Sequence, residues 1–297
     1  MNKGAWYAVG AYTCWGLLPV YWKLLHHVPS VQLLGHRIVW SFVALMIIIL
    51  LMRQWNSFRA AALAPRVLRI YLAAAALIGI NWLTYVWAVN SNHMVETSLG
   101  YFINPLLSVL MGVIFFRERL RPWQWVPVVL AAAGVVYLTI VFGSLPWIAL
   151  TLAFSFALYA VVKKIAPLLS LYGLMLETSI LLLPATAYLV YSDTAGSGVF
   201  LHAGIMSDFL LIGAGLTTTI PLLMFSSATQ RIPLSLIGIL QYISPTLQFL
   251  LGVFVYRESF SFTQFIGYSI VWVALILFGL EGYSAYRSQS VAAAEIE

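Results

Sequence analysis

Charge is scarce in this chain: only 8% of its 297 residues are Asp, Glu, Lys or Arg, against roughly 25% in an ordinary soluble domain. A water-soluble globule of this length needs a polar coat, and none can be assembled here. Cysteine is nearly absent as well. Cys14 stands alone, which excludes an intrachain disulfide and any cysteine-based metal cluster. No GxxxxGK[ST] stretch, HExxH helix, metal-spaced Cys/His set or nucleophile elbow occurs, so no cofactor and no metal are expected, and no ATP site or enzyme machinery is visible. Lys3 precedes an apolar run, but no small-residue cleavage site follows it; the run is read as a retained first helix rather than a signal peptide.

What the chain has instead is apolar length. Hydrophobic residues make up 62% and mean hydropathy is +0.95. About 20 mostly apolar residues span a bilayer as a helix. Such stretches lie near 5–25, 31–51, 67–89, 94–116, 123–142, 145–162, 168–191, 209–229, 233–255 and 262–280. The expected fold is an all-α integral membrane protein of ten transmembrane helices, with the bilayer as its first partner. The net charge of +6 does not point to nucleic acid, because the basic residues sit at the ends of apolar segments. Lys3, Arg53, Arg59, Arg66, Arg69, Arg117, Arg119, Arg121, Lys163, Lys164, Arg231 and Arg287 fall on the side of the N-terminus, and only Lys23 and Arg257 on the other. Cytoplasmic loops are enriched in Lys and Arg, so both termini are expected in the cytoplasm. Trp6, Trp55, Trp123, Trp147 and Tyr283 read as interfacial anchors.

Sliding the chain by 140 residues lays Phe102–Glu118 on Tyr242–Glu258 without a gap. Ile103, Pro105, Leu107, Leu110, Gly112, Val113, Arg117 and Glu118 meet identical residues. The same offset pairs Ala88 with Ala228 and Gln124 with Gln264. The unit is therefore five helices, giving a first repeat over 4–142, a second over 145–282 and a cytoplasmic tail over 283–297. Five is odd, so the second unit enters the membrane inverted. Inverted repeats with a site near the midplane characterise secondary transporters, although the same arrangement also serves simply to pack ten helices.

HRIVWS at His36–Ser41, NWLTYVWAVN at Asn81–Asn90, ETSLGYFINPL at Glu96–Leu106 and QYISPT at Gln241–Thr246 resemble the RarD branch of the EamA transporters, within the drug/metabolite transporter superfamily. The likeness covers about residues 4–282. It implies a bacterial inner-membrane permease with a central cavity between two five-helix units, exporting metabolites or drug-like molecules such as amino acids or chloramphenicol-type compounds.

Ionisable groups inside a bilayer are costly and usually face a protein interior or a watery cavity. Arg37 and Glu177 are such groups, and they are repeat mates. One reading makes them a polarised substrate site, with Arg37 holding an anionic group and Glu177 an amine or a coupling proton. The other makes Arg37 a snorkelling or ion-paired structural residue. His36 and Glu96 are further proton-coupling candidates, and Glu96 is also a candidate partner for Arg37. Asn81, Tyr101, Asn104, Thr218, Gln241 and Tyr242 are candidate cavity hydrogen bonders or, equally, interhelical ones. Trp15, Trp82 and Trp87 offer aromatic faces. Pro105 and Pro245 are expected to kink equivalent helices. Tyr159 and Lys163 are candidates for an inner gate, with Lys163 read first as a topological charge. Gly213 and Gly215 lie inside a span with no preceding strand, which excludes a phosphate loop. A membrane scaffold or sensor, and an intramembrane enzyme using Glu177 and His36, stand as alternatives; oligomeric state is left open.

Overall fold

The computed structural model describes residues 3–91, 93–142 and 147–257 and most positions from 262 to 281, with the side chains of 89, 90, 94–96, 98, 99, 138, 141 and 142 outside that set. The expectations for Asn90, Glu96, Glu258, Tyr283 and Arg287 therefore lie outside the described residues.

All regular structure among the described residues is helical. In lipid a lone strand leaves its backbone groups without partners, whereas a helix satisfies them internally. The elements are α1 (Lys3–Leu24), α2 (Ser30–Leu51), α3 (Trp55–Ala62), α4 (Pro65–Asn90), α5 (Met94–Phe116), α6 (Trp125–Phe142), α7 (Trp147–Ile165), α8 (Ser170–Thr194), α9 (Ile205–Thr229), α10 (Leu234–Gln241) and α11 (Ile243–Leu250). A π-turn, Leu251–Val255, extends α11, and a further apolar helix, Phe265–Phe278, follows it. With α3 set aside and α10 to the π-turn taken as one crossing, these helices occupy the ten expected spans. Among the described residues, α2, most of α4, α7, α8, α9 and Leu234–Val255 are each long and apolar enough to cross a membrane unaided.

The 140-residue register is carried into the backbone. The starts of α2 and α8, of α4 and α9, and of α5 and α10 all stand 140 apart. Arg117 and Arg257, repeat mates, both turn the chain with positive φ, 52° and 53°. Helix contacts repeat with the same two-fold logic. α1 packs on α9 as α4 packs on α7, α5 packs on α7 as α1 packs on α10 and α11, and α2 packs on α9 as α4 packs on α8. The pairs α2 with α8 and α5 with α10 map onto themselves and mark the pseudo-axis.

Small residues set the closest approaches, as is usual where van der Waals packing drives helix association in lipid. A Cβ on Gly215 of α9 would run into the backbone of Trp40 in α2, and one on Gly238 of α10 would meet the Pro105 carbonyl of α5 at 2.5 Å.

Two features differ from the sequence expectation. The loop from Met52 to Arg66 contains α3, which buries Phe58 and Ala62 and sets Phe58 edge-on to Tyr172. The paired kinks are unequal. Both prolines deprive the carbonyl four residues earlier, Tyr101 or Gln241, of its helical partner, yet α5 runs on through Pro105 while the mate helix breaks between Gln241 and Ile243. The π-turn that follows takes up the misregister.

Candidate functional site

A cavity of about 180 Å³ lies at mid-depth, extending toward the end of the bundle opposite the N-terminus. From α1 come Trp15, Leu18, Pro19 and Trp22, a face of spacing three, four and seven that a helix presents on one side. α4 supplies Asn81, Trp82 and Tyr85 by the same rule, and α7 supplies Leu152 and Phe156. α5 gives Tyr101 and Asn104, and the second half answers with their mates Gln241 and Ser244. Thr218 of α9 and Arg37 of α2 complete the polar wall.

Arg37 is half-buried and donates from Nε to Thr218 Oγ1 at 2.9 Å. Its guanidinium lies against the rings of Trp22 and Trp82, 5.0 and 5.1 Å from their centres, a cation–π arrangement that holds the charge without neutralising it. Asn81 is tied by its amide nitrogen to Leu152 O and Ser155 Oγ, at 2.8 and 3.0 Å, which fixes α4 to α7. Ser108 donates toward both Asn104 Oδ1 and Gln241 Oε1 at 3.4 Å, so one hydroxyl joins the amides of α5 and α10. Tyr101, with 36% of its surface accessible, faces Tyr85 across 6.2 Å.

Toward the N-terminal end the cavity is floored by aromatic rings. Trp15 and Phe156 meet edge to face, both pack on Phe225, and Phe225 stacks on Tyr159 at 6.0 Å. Beneath that layer sits Glu177, 1% exposed, accepting from Lys163 Nζ at 2.6 Å and from Tyr159 Oη at 2.8 Å. Lys163 is fully buried. Two such groups removed from water are costly to bury unless they are paired and hydrogen-bonded, as these are.

A second lock closes the same end. Glu118, just past α5, accepts from the backbone N–H groups of Leu234 and Ser235 at 2.7 and 2.9 Å, so its carboxylate caps the start of α10. Lys164 of α7 lies 3.7 Å from the same carboxylate and donates to Ile232 O at 2.8 Å. The geometry accounts for Gly112, Arg117 and Glu118, the first copy of the repeated Gly–Arg–Glu pattern. The positive φ of Arg117 folds Glu118 back over Gly112, where a Cβ would meet its carboxylate at 2.5 Å.

Arg37, Asn81, Tyr101, Asn104, Thr218 and Gln241 are gathered around one cavity, as are Trp15 and Trp82. Glu177 is not among them. It faces Lys163 and Tyr159 in the closed half, so the polarised Arg37–Glu177 pair does not form, and Lys163 is an ion-pair partner rather than a topological charge. Tyr242 is buried and donates to Phe102 O at 3.3 Å, tying α10 to α5 rather than facing the cavity. Trp87 is exposed near the distal end, stacked on His93 and against Trp147. His36 is buried beside the Phe200 ring, in the opposite half from Glu177, so the two do not make an acid–base pair. Pro245 lines the cavity and Pro105 packs behind it on Gly238. Trp22, Tyr85, Phe156 and Gln248 were not anticipated; the helical spacing of Trp15 with Trp22, and of Asn81 with Tyr85, was the available signal.

Residues 2–140 match the model of the EamA-like transporter family. An "Uncharacterized transporter" of Vibrio cholerae is 44% identical over 96% of this chain and 94% of its own. "Protein RarD" of Escherichia coli K12 is 42% identical over 97% and 98%. A solved structure titled "Crystal structure of protein" shares the fold, with a TM-score of 0.66 at 18% identity, covering 94% of this chain and 98% of that one.

Proposed function

The chain belongs to the RarD-type branch of the EamA-like transporter family, and from that premise we propose that it is a secondary carrier moving small organic molecules across the bacterial inner membrane by alternating access. Its two units, 4–142 and 145–282, are the moving halves. Both termini face the cytoplasm, and the cavity opens toward the periplasm. The observation that carries this reading is the asymmetric cavity: polar and aromatic at mid-depth, and sealed toward the N-terminal end by the Phe225 and Tyr159 layer and two ionic locks. A site open on one side and locked on the other is one half of an alternating-access cycle.

The cargo is small and amphipathic. A volume of about 180 Å³ is below the roughly 300–1,000 Å³ of pockets for drug-sized ligands. That favours compounds of amino-acid size over chloramphenicol-type ones. Arg37 and the amide and hydroxyl groups of Asn104, Gln241 and Thr218 supply polar contacts, and the tryptophans the apolar ones. The test is uptake and release of labelled amino acids and chloramphenicol in proteoliposomes, with and without a proton gradient. Saturable flux that falls with Trp82→Ala supports the cavity as the path. Absence of flux for every compound, in protein that remains folded, would leave the scaffold reading in its place.

A further inference from the structure

The cavity carries charge of one sign. Arg37 is its one ionised lining residue among the described residues, and no described carboxylate is ion-paired with it. Thr218 engages Nε alone, so the two terminal amino groups of the fork, the geometry that reads a carboxylate in bidentate fashion, have no protein acceptor among the described residues. Aromatic rings flank the fork on Trp22 and Trp82. The site therefore suits an anionic head beside a flat apolar body.

Repeat symmetry adds a second constraint. Lys23 is the mate of Lys163, and Arg37 is the mate of Glu177. In the second half these positions form the buried ion pair at the closed end. In the first half the same positions hold two cations at the open end. Lys23 now lies over the Tyr256 ring at 3.6 Å, and its neighbour Trp22 packs on Arg37. When the two halves exchange conformations, as inverted repeats do, Lys23 approaches Arg37 as Lys163 now approaches Glu177. Two like charges at that range repel strongly in a water-poor interior. An anion between them converts the repulsion into a three-centre lock, and an empty cavity leaves it unrelieved.

We propose that the cargo is a small organic anion with an aromatic or planar apolar body, and that its charge is what allows the distal gate to close, so that the protein works as an organic-anion exchanger. This rests on the carrier reading above and narrows it to a substrate class and a mode of coupling.

The first test is binding. Trp15, Trp22 and Trp82 line the site, so intrinsic tryptophan fluorescence of the purified full chain reports occupancy. Titration with benzoate, benzamide, benzylamine and phenylalanine varies charge on one ring. Benzoate is expected to bind at least about tenfold more tightly than benzamide, with Arg37→Gln removing that margin and Arg37→Lys keeping part of it. Equal affinity for benzamide, a response to none of the four, or benzylamine binding that is lost in Glu96→Gln would each overturn the anion class.

The second test is exchange. Proteoliposomes loaded with labelled benzoate in gluconate buffer should release it about tenfold faster when benzoate is present outside. Lys23→Gln should raise release into gluconate buffer without benzoate toward the exchanged rate. In a Cys14→Ala, Tyr101→Cys background, Lys23→Glu is expected to cut labelling by an impermeant maleimide about tenfold, because it restores the ion pair that closes the other end. Release equally fast without an exchange partner, or unchanged labelling, would overturn the exchanger. Flux of benzamide or benzylamine without benzoate would sink the anion proposal and leave the carrier reading standing. No flux of any of the four, with Tyr101→Cys labelling insensitive to all of them, would sink both.

Discussion

At the residue scale, the two mates Arg37 and Glu177 have opposite fates. Arg37 keeps its charge at a cavity wall, on aromatic faces and one hydroxyl. Glu177 is enclosed with Lys163 and Tyr159. Removing one member of a buried pair leaves an uncompensated charge and typically costs about 3–5 kcal/mol, whereas replacing both by apolar groups is often neutral. Glu177→Gln and Lys163→Met should therefore each lower the thermal unfolding midpoint of the detergent-solubilised protein, and the double variant Lys163→Met with Glu177→Leu should recover most of the loss. Equal and additive losses in the two single variants and the double would show that the pair contributes nothing as a unit. Arg37→Gln should behave differently, with a near-normal midpoint. The sequence could single out both residues, because ionisable groups inside apolar spans are conspicuous. It could not separate their roles, since the stretch between Lys163 and Glu177 includes a loop whose geometry decides whether the two side chains meet. The cavity polar set was legible for the same reason that Arg37 was, while Tyr242 and Trp87 show the limit: residue type does not say which face of a helix is turned inward.

At the scale of the element, the repeated stretch is informative because its identities coincide with geometric demands. Gly112 makes room for Glu118, Arg117 supplies the left-handed turn, and the carboxylate caps α10. Glu118→Gln keeps the shape but removes a charge-assisted cap worth about 1–3 kcal/mol. It should loosen the closed end without unfolding the helices. A cysteine at Ala228, fully buried in that half, should then react with a maleimide several-fold faster in Glu118→Gln than in its absence. Unchanged reactivity would mean that the cap does not hold the end shut. Gly238→Ala tests packing instead. Its Cβ would sit 2.5 Å from the Pro105 carbonyl, and since that neighbour is backbone, α5 and α10 must part at a cost of about 1–3 kcal/mol, read as a lower unfolding midpoint. The spans themselves were readable from apolar length. The eight-residue α3 was not, being too short to register in a window sized for a bilayer, and the break after Gln241 was not, because Pro105 and Pro245 are the same residue in two helices whose neighbours differ.

At the scale of the whole molecule, the pairings related by the pseudo-axis do for the bundle what the 140-residue offset does for the sequence: among the described residues the main helix pairings of one half have counterparts in the other. The present form is asymmetric within that frame, since one end is locked by Glu177 and Glu118 and the cavity reaches toward the other. In the orientation proposed from the distribution of Lys and Arg the locked end lies in the cytoplasm, so orientation and state can be tested together in intact cells. In a Cys14→Ala background, a cysteine replacing Tyr101 should react with an impermeant maleimide added outside, and one replacing Ala228 should stay silent until the membrane is opened and the locks are released. If the Tyr101 position reacts only after permeabilisation, the chain is inserted the other way and the cavity faces the cytoplasm. If both positions react from one side at similar rates, the two ends are open together. A pathway open at both ends collapses the gradient that a carrier exploits, so that result would replace alternating access by a channel.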